Sequence, residues 1–137
     1  MSADPELVAK LRRVPLFASL TDESLEALAE RVTEFEAPAG HVLIQPGQPG
    51  SGLFLIEEGT ALVERAHGTV ERGPGEPVGE LALLTEDGLR TVRVRAKTEI
   101  RGFAIGHAVF NRLLQQEPQI AVAMLPVLAR RLAETEK

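Results

Sequence analysis

Glu80 and Arg90, ten positions apart, are the two side chains whose types and spacing most directly suggest chemistry. An ionised glutamate only accepts hydrogen bonds, so Glu80 suits sugar hydroxyls, whereas Arg90 presents a forked cationic donor to phosphate oxygens. Between them run the apolar residues Leu81 to Leu84 and an acidic turn, Glu86-Asp87-Gly88. Arg90-Thr91 then leads into an alternation of Val92, Val94 and Ala96 against Arg93, Arg95 and Lys97. Gly79 lets backbone approach a ligand closely, and the free N–H groups of a helix start just after it favour an anion. A hydroxyl-rich phosphate ester suits this set.

Taken singly, each residue also has an ordinary structural role. Glu80 could stabilise the first turn of a helix through its dipole, and Arg90 could pair locally with Glu86 or Asp87. Arg90, however, shares the parity of Val92, Val94 and Ala96, which turns it towards the interior, where a cation requires an anionic partner. Arg93, Arg95 and Lys97 have the opposite parity and read as a solvated sheet face.

The remaining composition narrows the function classes. The sequence contains no cysteine, which rules out disulfides, thiolate catalysis and cysteine-ligated metal centres. His41, His67 and His107 are scattered without ligand partners at metal spacing and read as surface or cap residues, so no metal is expected. No Ser, His and Asp grouping suggests nucleophilic catalysis, and the expectation is a protein that is not an enzyme and carries no cofactor. A net charge of −5 with no Trp or Tyr argues against a nucleic-acid surface. The N-terminal stretch MSADPELVAKLRR is charged and amphipathic, resembling neither a secretory signal nor a membrane span, so the expected location is cytoplasmic.

The elements that must position Glu80 and Arg90 follow from periodicity. A short helix is expected over residues 5–13, and a second over 22–33 with Thr21 as its cap and Leu25, Leu28, Ala29 and Val32 on one face. Short strands follow at 35–37, 41–44, 53–56, 61–65, 69–72, 89–96 and 100–105, with turn chemistry at Pro38-Ala39-Gly40, Pro46 to Gly50, Glu58-Gly59 and Gly73-Pro74-Gly75. Regular spacing of this kind indicates a sandwich or barrel. Helices close the chain at 107–116 and from Pro118 onwards. In the last one, Ala121, Leu125, Leu128, Leu132 and Thr135 fall on one arc, expected to face inward, and Pro126 predicts a kink or a break. The fold class is therefore α+β, mainly β, with a β-roll flanked by N-terminal and C-terminal helices.

With those residues placed, the chain resembles the cyclic nucleotide-binding domain family over nearly its whole length. PAGHVLIQPGQPGSGLFLIEEGTALV, Pro38 to Val63, looks like the family's glycine-punctuated strands. RGPGEPVGELALL followed by Arg90-Thr91 is similar to its phosphate-binding cassette, while VRAKTE and ARRLAETEK resemble the bacterial catabolite activator branch. The resemblance implies a jelly roll (double-stranded β-helix) within one domain over 1–137, with N-terminal helices at 1–33, the roll at 34–106, the cassette at 78–92 and C-terminal helices at 107–137. It implies that Glu80 holds the ribose 2′-hydroxyl and Arg90 the cyclic phosphate. Gly79, Leu81 and Ala82 would give backbone contacts, Thr91 a further hydroxyl, and Thr135 a contact to the purine. Val78 departs from the family's usual aromatic, Val92 and Arg93 replace small or hydroxyl residues, and Glu136 replaces a second hydroxyl.

The implied ligand is cAMP in preference to cGMP, and the implied role is a regulatory or sensor module relaying binding through its C-terminal helices. The chain reaches Lys137 where that branch appends a DNA-binding domain, so no nucleic acid is expected to be bound by these residues, nor any membrane. A homodimer through the last helix, or a fused or partner effector, is the expected association. The alternatives are a non-binding dimerisation module of the same fold and a sensor of another small anion.

Overall fold

The computed structural model describes residues 4–45, 52–65, 68–79 and 92–135, excluding the side chains of Leu132, Glu134 and Thr135. The chain divides into two compact units, one formed by Arg31–Phe110 and one by Met1–Glu30 together with Asn111–Lys137.

The first unit is the β-roll. Its strands are β1 (Thr33–Ala37), β2 (Val42–Ile44), β3 (Gly52–Glu58), β4 (Ala61–Arg65), β5 (Gly68–Arg72), β6 (Pro77–Val78), β7 (Arg93–Ala96) and β8 (Ile100–Gly106). They form two four-stranded sheets, ordered β1-β8-β3-β6 and β2-β7-β4-β5, and every pairing is antiparallel. The expected strands are all found, with ends moved by one or two residues, except that β7 begins at Arg93 and residues 89–91 lie outside the described set. β6 is an addition, since two residues are too few to show a period. Pro77 is tolerated there because β6 is an edge strand with no second neighbour to receive a donor.

Alternation works as expected along β7, where Val94 and Ala96 are buried and Arg93 and Arg95 exposed. Those apolar residues join Ile44, Ile56, Ala61, Val63, Val78 and Ile100 in one core drawn from both sheets. Phe35 and Phe54 pack edge-to-face at its margin, with ring centroids 5.3 Å apart. Where β8 pairs with β3, a Cβ on Gly102 would lie 2.1 Å from the Leu55 carbonyl oxygen, so only glycine allows that approach.

In the second unit, α1 (Pro5–Arg12) is capped by Asp4, whose side chain accepts from the Glu6 N–H at 3.0 Å. A 3-10 turn at Pro15–Phe17 follows. α2 (Asp22–Ala29) starts at Thr21, which accepts from the Ser24 N–H at 3.1 Å. α2 stops four residues short of the expected end, at Ala29, with Glu30 as its C-cap, and Thr33 already opens β1. The β-branched pair Val32-Thr33, followed by Phe35, favours extended backbone over another helical turn.

The last helices are α3 (His107–Gln116), whose latter part belongs to this unit, and α4 (Pro118–Thr135). Glu117 alone separates them. Its carboxylate accepts from the Ser24 hydroxyl of α2 and, at 2.7 Å, from the Gln119 side-chain amide. α4 runs through Pro126 without the break allowed for at that position. A proline removes one hydrogen bond, and an 18-residue helix retains enough of its ladder on either side.

The expected inward arc of α4 is also corrected. Ile120, Met124 and Arg131 are buried and Val127 and Leu128 half-buried, whereas Ala121 is exposed and Leu125 is 62% accessible. The buried stripe is therefore rotated from the predicted one by about one residue, roughly a quarter turn. Among the described residues, no helix is long and apolar enough to cross a membrane.

Candidate functional site

The sequence places its candidate chemistry at 79–91. Gly79 is the one of these residues that the structure describes; Glu80, Leu81, Ala82, Arg90 and Thr91 lie outside the described set. Gly79 has φ +88°, a conformation that L side chains rarely adopt, which accounts for glycine at this point. It follows β6 directly, and Val78 is buried in the core of the roll. On the far side, half-buried Val92 leads into β7.

These two flanks belong to different sheets. β6 is the edge strand beside β3, whereas β7 is an inner strand between β2 and β4. Residues 80–91 thus connect the sheets, and each end of the connection is fixed by core packing through Val78 on one side and Val94 on the other. Thr135 is the last residue of α4, and its side chain lies outside the described set.

Two cations on the β2-β7-β4-β5 sheet lie beside carboxylates. Arg95 Nη2 lies 3.7 Å from Glu64 Oε2, and Lys97 Nζ lies 3.0 Å from Glu71 Oε2. These pairs are substantially exposed and contribute little to stability. They support the reading of Arg93, Arg95 and Lys97 as a solvated face. Among the described residues, no group of three or more His, Cys, Asp or Glu could hold a metal ion. His41 is exposed, and His107 heads α3.

One arginine escaped the sequence reading. Arg72 ends β5 opposite Ala61, which in turn is opposite Ala96. Directly opposed residues share a sheet face, and Ala61 and Ala96 are fully buried, so Arg72 points to the interior side. Its side chain is only 13% accessible, and its Nε lies 3.8 Å from Glu76 Oε2. Glu76 Oε1 accepts from the Gly73 N–H at 3.4 Å. The intervening turn is also tied to β3 by two backbone bonds, Gly75 N–H to the Ile56 carbonyl at 2.7 Å and Ile56 N–H to the Glu76 carbonyl at 3.2 Å. The parity of Arg72 with Val70 was the available signal.

Comparison with known proteins places this arrangement. Residues 34–117 match the sequence profile of the cyclic nucleotide-binding domain. A cAMP-dependent protein kinase regulatory subunit from Emericella nidulans is 38% identical over 111 residues, covering 77% of this chain and 26% of that protein. A CRP-like cAMP-activated global transcriptional regulator from Mycobacterium tuberculosis is 29% identical over 131 residues, covering 91% of this chain and 58% of that one. Among solved structures, a cAMP-binding acyltransferase from Mycobacterium smegmatis superposes with a TM-score of 0.79 at 29% identity, over 94% of this chain and 41% of that chain. The chain spans from 22% to 58% of the length of the curated relatives it matches.

Proposed function

This chain belongs to the cyclic nucleotide-binding domain family, and from that premise we propose that it binds a cyclic nucleotide, cAMP in preference to cGMP, as a regulatory or sensor module. The observation that carries this reading is the match over 34–117, which includes the whole of 79–91. Glu80 would accept from the ribose 2′-hydroxyl and Arg90 would pair with the cyclic phosphate, with Thr91 adding a hydroxyl. Gly79, Leu81 and Ala82 would present backbone around the ribose and phosphate. The positive φ of Gly79 and the anchoring of both flanks in the core support a preorganised site.

Relay would follow if nucleotide binds one arrangement of the C-terminal helices better than another, since a ligand with equal affinity for both shifts nothing. Contact between Thr135 and the purine is the proposed source of that difference. The whole chain over 1–137 would act as a single receptor domain, serving either a partner or an effector fused to it. Calorimetric titration with cAMP and cGMP side by side tests the proposal. The expected result is saturable binding of both with cAMP tighter, and heat from neither at millimolar nucleotide would overturn it.

A second reading draws on α4, whose Val122 and Leu125 are 65% and 62% accessible. Exposed large apolar side chains on a helix suit association, so the chain would also form a homodimer or dock an effector through this face. In the strongest form of this reading the roll is a dimerisation module that binds no nucleotide or a different small anion. A melting temperature indifferent to both nucleotides would favour it, because any ligand specific to the native state raises the melt.

A further inference from the structure

We infer that Glu117, held by the Ser24 hydroxyl, sets the rotational phase of α4 and so decides which apolar face of that helix is turned outward. The inference stands apart from nucleotide binding and touches the association reading above only through its consequence.

Apolar burial by itself does not select the observed phase. The rejected stripe, Ala121, Leu125, Leu128 and Leu132, is apolar throughout. The adopted one runs through Ile120 and Met124 to Arg131, which is 9% accessible, and leaves Leu125 62% accessible. Turning a guanidinium inward and leaving a leucine outside both oppose apolar burial. α4 lies against the 3-10 turn at Pro15–Phe17, and apolar contact of that kind is non-directional. A directional contact must therefore choose between two stripes one residue apart.

Glu117 supplies that contact. Its N–H donates to the Leu113 carbonyl at 2.8 Å and its carbonyl accepts from the Ile120 N–H at 3.0 Å, which gears it to the first turn of α4. These backbone bonds hold the junction together but do not orient it towards α2. The Glu117 carboxylate does so by accepting from the Ser24 hydroxyl. A carboxylate only accepts, so Ser24 must donate to it, and Ser24 Oγ in turn accepts from the Thr21 hydroxyl at 3.1 Å. Among the described residues, this is the side-chain hydrogen bond that joins α2 to the C-terminal helices. Turning α4 by one residue, on a helix about 10 Å across, would swing the carboxylate roughly 7 Å from Ser24. A polar group that specifies register at some cost in burial is a recurrent device. Ser24 keeps Thr21 and Glu117 keeps Gln119 when the link is lost, so its loss unties two elements without stranding a buried charge. The consequence is that the link keeps Val122 and Leu125 on the outside, where an associating partner would meet them.

The test exploits the absence of cysteine from the sequence. Met124→Cys and Leu125→Cys, adjacent in α4, are made separately in the 137-residue chain, and the rate at which each thiol reacts with a water-soluble thiol reagent is measured. In the unaltered background the Leu125→Cys thiol should react at least tenfold faster than the Met124→Cys thiol. Adding Ser24→Ala or Glu117→Ala should slow the first and speed the second, lowering their ratio at least tenfold. Glu117→Gln keeps an acceptor for Ser24 and should retain most of the ratio. Lost stability alone raises both rates together, so rates that rise together overturn the inference, as do rates that do not change. A ratio that collapses in Arg131→Leu but survives in Ser24→Ala and Glu117→Ala also overturns it, by assigning the phase to Arg131, which has an interaction of its own. Should the chain neither self-associate nor dock an effector, the association reading fails alone, and the two thiols still decide what sets the phase.

Discussion

β7 and α4 each display a regular apolar pattern in the sequence, and only the strand has the orientation that its pattern predicts. In β7, Val94 and Ala96 are buried and Arg93 and Arg95 exposed. In α4, the predicted inward residues Ala121 and Leu125 are exposed, while Ile120 and Met124 are buried. The contrast is physical. A strand has two faces, so a shift of one residue exchanges apolar for charged side chains and is strongly disfavoured. A helix advances about 100° per residue, and α4 carries Ile120, Ala121, Val122, Ala123, Met124 and Leu125 in succession. Rotating such a helix by one residue exchanges one apolar side chain for another, leaving tertiary packing to set the phase.

The largest expected effect tests whether the strand's parity extends to the proposed phosphate contact. Val92 is already half-buried, in step with Val94 and Ala96, and Arg90 continues that parity. Arg90→Ala should lower cAMP affinity by about a hundredfold or more, because charge-assisted bonds to a phosphate are worth roughly 1.5–3 kcal/mol each. The thermal melt without nucleotide should be nearly unchanged. Calorimetry and a ligand-free melt separate the two quantities, and wild-type affinity would break the link between parity and function.

The next effect concerns the helix. Ile120 is fully buried, so Ile120→Ala should destabilise the protein by about 3 kcal/mol through lost burial and a residual cavity. Leu125, on the arc that periodicity favours, is 62% accessible, and Leu125→Ala should change stability by less than about 0.5 kcal/mol. Urea denaturation of both variants checks the pair. Equal destabilisation would mean that the outward face of α4 is covered in solution by a partner or a second copy.

Legibility varied with how tightly each element constrains its own sequence. The β-roll could be read because most of its turns carry Gly or Pro and strands such as β7 alternate. β6 could not, since Pro77-Val78 has no period and is a strand only by virtue of its pairing with Phe54 and Leu55. The end of α2 was set too late because Val32 extends an apolar stripe that the chain abandons for β1. At the candidate site, Gly79 was legible as a point needing glycine, and its positive φ supplies the reason. Arg72 was legible by the parity rule applied to Arg90, but an arginine at a strand end reads as exposed until its neighbours across the sheet are known to be Ala61 and Ala96.

The smallest effect lies where strand and helix would have to cooperate. If Thr135 contacts the purine, its hydroxyl adds a single neutral hydrogen bond, worth about 1 kcal/mol, to a site whose phosphate contacts come from the roll. Thr135→Ala should therefore lower cAMP affinity about fivefold, a change that conversion at 1.4 kcal/mol per decade makes consistent with that bond. The effect on cGMP should differ, because the two purines present different hydrogen-bonding groups, whereas Arg90→Ala acts on the phosphate they share. A change in the cAMP:cGMP ratio in Thr135→Ala, set against a constant ratio in Arg90→Ala, would assign base selection to α4 and phosphate capture to the roll. An unchanged ratio would return both functions to the roll and leave the C-terminal helix without a role in choosing the nucleotide.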